Sequence, residues 1–275
     1  MKSKRVKNII ITGGSRGLGL SHATYLAKCG YNIALIDLSK NACSVYDEVN
    51  NIPSLLKDLN KFCKAKFYTC DLTDNNQTSK TFKEIEADFG SIEGAVFNAG
   101  GDIIGNQKDA SGGKPINNSI MIDIKDHDEI LDRNYKTCLN SFQSIIPILK
   151  QKNYGKIITT ASVSAGYGVI KETSYSTAKA AVIHLTKSAA AELREYDISI
   201  NCIMPGPIMT GRFKNNLNNR SKNDLDKINN GNSFLTQVAD PIQISYLVEF
   251  LLSNKSDYIS GQVIRIDGGQ FTSPI

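Results

Sequence analysis

Short unbroken apolar runs alternate along the chain with longer stretches in which apolar residues recur every three or four positions. The runs fall at 8–11, 33–36, 66–69, 94–97, 156–160, 198–203 and 262–266. Four to six apolar residues without polar alternation are the pattern of a strand buried on both faces. The intervening periodicity predicts helices over 18–29, 77–89, 125–151, 174–196 and 241–252. A β-α-β-α rhythm with right-handed crossovers builds a doubly wound parallel sheet of six or seven strands with helices on both faces, a three-layer α/β/α arrangement of the Rossmann type. One such sheet uses the whole chain, so residues 1–275 are expected to form a single domain.

Three stretches depart from the rhythm. Segment 38–56 is longer than a tight βα turn requires. Segment 101–123 is rich in Gly, Asn and Ser and carries no period, and 211–234 is dense in Asn, Lys and Asp. Unstructured connections beyond about 12–15 residues are usually lids or binding loops. The first two read as inserts, and the third as a lid or binding loop.

Composition narrows the class. Hydrophobic residues make up 41% of the chain and charged residues 21%, which excludes a mainly disordered protein. The longest strictly apolar stretches, such as 145–149, fall far short of the roughly 20 residues a membrane span needs. The net charge of +5 is small for 275 residues, and the basic cluster Lys2, Lys4, Arg5 and Lys7 is too narrow for a nucleic-acid face. The first apolar run gives way at once to Thr12-Gly13-Gly14, which is too short for the core of a secretion signal. Six scattered cysteines without a CxxC pair read as free thiols in a reducing compartment. Together these place the protein in the cytoplasm.

The chemistry concentrates in two places. The first is Thr12-Gly13-Gly14-Ser15-Arg16-Gly17-Leu18-Gly19, between the first strand and the first helix. Glycines let the backbone turn sharply and approach a pyrophosphate, and the helix N-terminus offers unpaired N–H groups and a positive dipole end. The GK[ST] ending of a triphosphatase loop is absent. Asp37, about 20 residues beyond the glycines, ends the second strand, where a carboxylate accepts hydrogen bonds from the adenosine ribose hydroxyls. It also repels a 2′-phosphate, by about 1–4 kcal/mol at about 4 Å. Arg16 pulls the other way. The balance favours NAD over NADP.

The second is Tyr175-Ser176-Thr177-Ala178-Lys179. Tyr175 and Lys179 are four apart on a predicted helix and share one face. An ammonium about 4 Å from a phenol, at an effective dielectric near 20, contributes about 4 kcal/mol, enough to bring a tyrosine from about 10 toward neutrality as a general acid/base. Ser162 ends the fifth strand at the carboxyl edge of the sheet, where such folds bind ligands; a hydroxyl there can hold a substrate carbonyl against Tyr175. Ser164 is the nearby alternative. Asn134 is a polar amide in mid-helix, unfavourable by propensity, and it marks a local break, an internal water site or simply an exposed helix position. Pro205-Gly206-Pro207-Ile208-Met209-Thr210 turns the chain after the sixth strand and frees backbone groups for a ligand. His22, His127 and His184 lack ligand spacing, so no metal site is expected.

Taken with Asp71, Asn98-Ala99-Gly100 and Asp267-Gly268-Gly269, in this order and across essentially the whole chain, these pieces make the sequence resemble the short-chain dehydrogenase/reductase family, in its compact one-domain form. The resemblance implies an NAD(P)-dependent oxidoreductase that transfers a hydride between nicotinamide and a secondary alcohol or ketone, of sugar, polyol, hydroxy-lipid or 3-oxoacyl type. It assigns Tyr175 as proton donor or acceptor and Lys179 as its partner and ribose ligand. Ser162 would orient the substrate oxygen, and Asn134 would hold a relay water. Gly13, Ser15, Arg16, Gly17, Leu18, Gly19, Asp37, Asp71, Leu72, Asn98, Ala99, Gly100, Pro205, Gly206, Ile208 and Thr210 would bind the cofactor. It further implies a homodimer or homotetramer built on the predicted 174–196 helix, with its alanines at 178, 180, 181, 189, 190 and 191. A nucleotide-binding redox sensor without turnover is the alternative, and the intact Asn134, Ser162, Tyr175 and Lys179 set argues against it. The cations Arg212, Lys214, Arg220 and Lys222, offset by Asp224 and Asp226, read as a solvated face.

Overall fold

A computed structural model describes residues 7–101, 117–217 and 234–272. Its strands are β1 (Asn8–Thr12), β2 (Asn32–Asp37), β3 (Ala65–Thr69), β4 (Gly94–Phe97), β5 (Gly155–Thr160), β6 (Ile198–Pro205) and β7 (Val263–Ile266). All seven are parallel, in the order β3-β2-β1-β4-β5-β6-β7. The helices are α1 (Gly17–Lys28), α2 (Ile52–Leu59), α3 (Asn75–Phe89), α4 (Ile124–Leu131), α5 (Thr137–Lys152), α6 (Thr173–Leu193), α7 (Gly211–Leu217) and α8 (Pro241–Leu252).

Every residue of β1, β4, β5 and β6 is buried, while the edge strands β3 and β7 are only partly so. The period of two splits each apolar run between two cores. Ile10, Ala34 and Ile36 face one side, with Phe82 of α3 and Phe142 and Ile145 of α5. Ile9, Ile11, Ile33 and Leu35 face the other, with Leu26 of α1, Leu55 of α2 and Val248 of α8. Within that second layer His22 is fully buried, its Nδ1 2.8 Å from the Ser245 hydroxyl, and burial lowers its pKa to about 3. It is a neutral core residue. All six cysteines are free.

Two departures from the expected elements stand out. The 38–56 segment is not a plain insert: it holds a 3₁₀ turn at Lys40–Ser44 and the start of α2, whose first turn is capped by the Asn51 side chain accepting from the Ser54 N–H at 2.9 Å. The predicted 125–151 helix is divided by a π turn, Asp132–Lys136, between α4 and α5. Asn134 lies inside that turn. Of the lid and the second insert, residues 218–233 and 102–116 lie outside the described residues.

The alanines of α6 do not form one face. Ala178, Ala189 and Ala190 are buried in the chain's own core, and Ala180, Ala181 and Ala191 are not. Among the described residues no helix is long and apolar enough to cross a membrane.

Candidate active site

The strand order reverses between β1 and β4, and their carboxyl ends open a crevice there. Thr12, the last residue of β1, holds this crevice together: its hydroxyl accepts from the Asn98 N–H at 3.0 Å and the Ala99 N–H at 3.1 Å. Asn98 answers by donating its amide to the Gly13 carbonyl at 3.3 Å. Gly13 adopts φ +62°, and a Cβ there would lie 2.9 Å from the Ala99 Cα. Only glycine lets the two loops meet this closely.

A cavity of about 1070 Å³ runs from this point along the carboxyl edge of the sheet. One end is lined by Arg16, Asp37, Asp71 and Leu72, the middle by Gly17, Leu18, Asn98, Gly100 and Thr210, and the other end by Ser162, Tyr175 and Lys179. Pro205, Gly206 and Ile208 also line it. Ser15 and Gly19, expected among the ligand contacts, do not. Ser15 is buried beneath the loop, donating through its N–H at 3.2 Å and its hydroxyl at 2.5 Å to Asp37 Oδ2, while Gly19 is buried against Gly13. They shape the loop rather than face the cavity. Asp37 Oδ1 accepts from the Leu38 N–H at 2.9 Å, so the carboxylate is fixed at the cavity wall on both oxygens.

The catalytic candidates converge at the far end. Lys179 is 4% exposed; its Nζ donates to the Thr160 carbonyl at 2.9 Å and lies 5.8 Å from the centre of the Tyr175 ring. Burial lowers its pKa to about 8. The charge expected to assist Tyr175 is therefore itself lost in mildly alkaline solution. Ser162 caps a short 3₁₀ turn and accepts from the Ser164 N–H at 3.3 Å and the Ser164 hydroxyl at 3.0 Å. Ser164 thus stands behind Ser162 as its partner, and both line the cavity.

Asn134 is buried, not an exposed helix residue. Its Oδ1 accepts from the Gly101 N–H at 2.8 Å, and its Nδ2 donates to the carbonyls of Gly101, at 3.0 Å, and Ile130, at 2.9 Å. The π turn places it there, and both amide protons are committed. Tyr46, Glu48 and Arg133 are among the cavity residues that escaped the sequence reading. Burial lowers the Arg133 guanidinium, against the opposing pull of Glu129 and Asp71. Its signal was its place next to Asn134, since the same π turn carries both inward. Arg212 is not on a solvated face either: it is half-buried, lines the cavity and lies over Gly101. Among the described residues no group of three His, Cys, Asp or Glu side chains could hold a metal ion.

Residues 7–221 match the family model described as short chain dehydrogenase. The chain belongs to this family. As a short-chain dehydrogenase it is similar over 98% of its length to the 3-oxoacyl-[acyl-carrier-protein] reductase FabG of Staphylococcus aureus, at 29% identity and 99% coverage of that protein. It is also 29% identical to the cyclohexanol dehydrogenase of a Rhodococcus species, with 96% of each chain covered. Among solved structures, NAD⁺-bound xylitol dehydrogenase matches at a TM-score of 0.81 and 25% identity, covering 98% of this chain and all of that one. The protein is an NAD(P)-dependent oxidoreductase, and a sensor without turnover finds no support.

Proposed function

We propose that the protein interconverts a secondary alcohol and a ketone with NAD as the preferred cofactor, using Tyr175 as general acid/base. The observation that carries this reading is the convergence of Ser162, Tyr175 and Lys179 on the same cavity that the glycine loop and Asp37 line.

The residues present fit a dinucleotide. Gly13 lets the glycine loop close against Ala99 at the mouth of the crevice, and the wall offers a carboxylate, Asp37, for ribose hydroxyls. Asp71 and Leu72 would flank the adenine, and Asn98, Ala99 and Gly100 the ribose. Gly17, Leu18 and Thr210 would hold the pyrophosphate, with Pro205, Gly206 and Ile208 beside the nicotinamide. Bound there, nicotinamide supplies the hydride acceptor or donor. Arg16 stands 5.5 Å from the Tyr46 ring centre, while Asp37 is fixed at the wall; this arrangement supports NAD over NADP.

The chain's own residues handle the proton. Ser162 would donate to the substrate oxygen and hold it against the Tyr175 hydroxyl. Tyr175 would take the alcohol proton in oxidation and return it in reduction. Lys179, charged below pH 8, favours the phenolate form of Tyr175 electrostatically. Since the Asn134 amide protons are taken, a relay water would sit on its backbone carbonyl or on the free lone pair of Oδ1. Val163, Tyr167, Val169, Ile208 and Phe213 line the cavity together with Glu172, Arg212 and Gln270, and on the apolar five we favour an apolar ketone or hydroxy-lipid over a polyol. We further propose one domain, a lid from 207 to 236, a cytoplasmic location and a homodimer or homotetramer.

The test is NADH consumption with apolar cyclic ketones and 3-oxoacyl thioesters, set beside polyol oxidation with NAD⁺. The reading expects turnover in the first group; turnover confined to polyols would contradict the substrate assignment.

A further inference from the structure

The first turn of α1 lacks a cap from its own sequence: the Arg16 side chain at the N-cap makes no capping hydrogen bond to that turn, and no acidic residue follows in it. The missing carboxylate arrives from 31 positions along the chain. Glu48 Oε2 accepts from the Gly17 N–H at 2.8 Å, and its Oε1 accepts from the Gly211 N–H, the first residue of α7, also at 2.8 Å. The fit is close. A Cβ on Gly211 would lie 2.7 Å from the Glu48 carboxyl carbon and 2.8 Å from the Tyr46 Cβ. Tyr46 in turn lies under the Arg16 guanidinium. The segment between the 3₁₀ turn and α2 is therefore a strap tied to the glycine loop and to the start of the lid.

A carboxylate and a phosphate compete for the same donors, because helix-terminal N–H groups and a positive dipole end favour any anion. Glu48 lines the cavity at its middle, between the Asp37 end and the Tyr175 end, where a dinucleotide's pyrophosphate must cross. We propose that Glu48 is an internal stand-in for that pyrophosphate, a latch that dinucleotide binding must displace and whose release frees α7 from the strap. The proposal rests on the reading of this cavity as a dinucleotide site.

Calorimetric titration of the full-length protein with NADH and with adenosine tests it, comparing wild type, Glu48→Gln and Glu48→Ala. Both variants are expected to bind NADH about tenfold more tightly, which is 1.4 kcal/mol, and adenosine, which carries no phosphate, with unchanged affinity. Equal or weaker NADH binding in folded variants would make Glu48 a plain helix cap or a cofactor contact and overturn the latch. Hydrogen exchange on the wild type needs no variant: NADH should speed exchange across residues 45–51, and protection or no change there would contradict displacement. If wild type and variants all fail to bind NADH and NADPH, the dinucleotide reading falls and the latch with it. Binding by the variants alone would mean that the latch dominates.

Discussion

Asn134 and Gly101 clamp each other in both directions: the Gly101 N–H donates to the Asn134 side-chain oxygen, and the Asn134 amide donates back to the Gly101 carbonyl. The same amide reaches the Ile130 carbonyl one turn earlier, within the helix that the π turn interrupts. One side chain thus sets the loop after β4 against the helix that carries Arg133 past the cavity. Asn134→Ala would leave three backbone groups without their partner. At about 1–3 kcal/mol for a buried unsatisfied group, a stability loss of at least about 2 kcal/mol is expected, together with reduced turnover. Urea unfolding checks the first and steady-state kinetics the second; wild-type values for both would mean that the clamp is idle.

Asp37 is expected to set cofactor choice. Replacing it with Ala removes a carboxylate that repels a 2′-phosphate by about 1–4 kcal/mol, so the ratio of NADPH to NADH affinity should rise by about five- to several hundred-fold. The substitution also removes the acceptor of both Ser15 bonds, and the glycine loop should loosen. Parallel titrations with the two reduced cofactors read the ratio. A ratio unchanged by Asp37→Ala would assign the choice elsewhere.

Lys179 has a folded pKa of about 8 against 10.5 for an exposed lysine, with burial as the cause. Below pH 8 the folded chain carries the buried charge and its full cost. Between pH 8 and 10.5 the unfolded chain binds a proton that the folded chain does not, so stability rises with pH across that window. Lys179→Met removes a cost of up to about 3 kcal/mol, offset by loss of the bond to Thr160. The variant should be at least as stable as wild type at pH 7, lose that advantage by pH 10.5, and turn over poorly. For wild type, the rate of carbonyl reduction should fall as pH rises through about 8. A less stable Met variant at pH 7, or a flat rate profile to pH 10, would contradict the assignment.

Much of this was legible in the sequence because the relevant physics is local. All seven strands announced themselves as short runs, most plainly β1, β4, β5 and β6, since a strand buried on both faces has little room for polar alternation. The awkward Asn134 in mid-helix marked a real break in the helix. The period within 38–56 was not legible: α2 begins at Ile52-Pro53 directly after Asn50-Asn51, and its cap, Asn51, looks like loop composition. Glu48 was passed over, and Arg212 read as solvated, for another reason. Their positions depend on where a strap and a short helix fold over a loop far away in sequence, and nothing in their immediate neighbours records that. Ser15 is a separate case, since a motif names residues without saying which face the ligand and which brace the loop.

The central claim is that Tyr175 moves the proton while the rest of the cavity binds. Tyr175→Phe removes one hydroxyl and leaves the ring beside Lys179. The account predicts NADH affinity within about threefold of wild type by calorimetry, small against the tenfold that 1.4 kcal/mol represents, and turnover reduced by at least the 10²–10⁴-fold typical of losing a positioned acid/base. Turnover near the wild-type rate with cofactor still bound would contradict it.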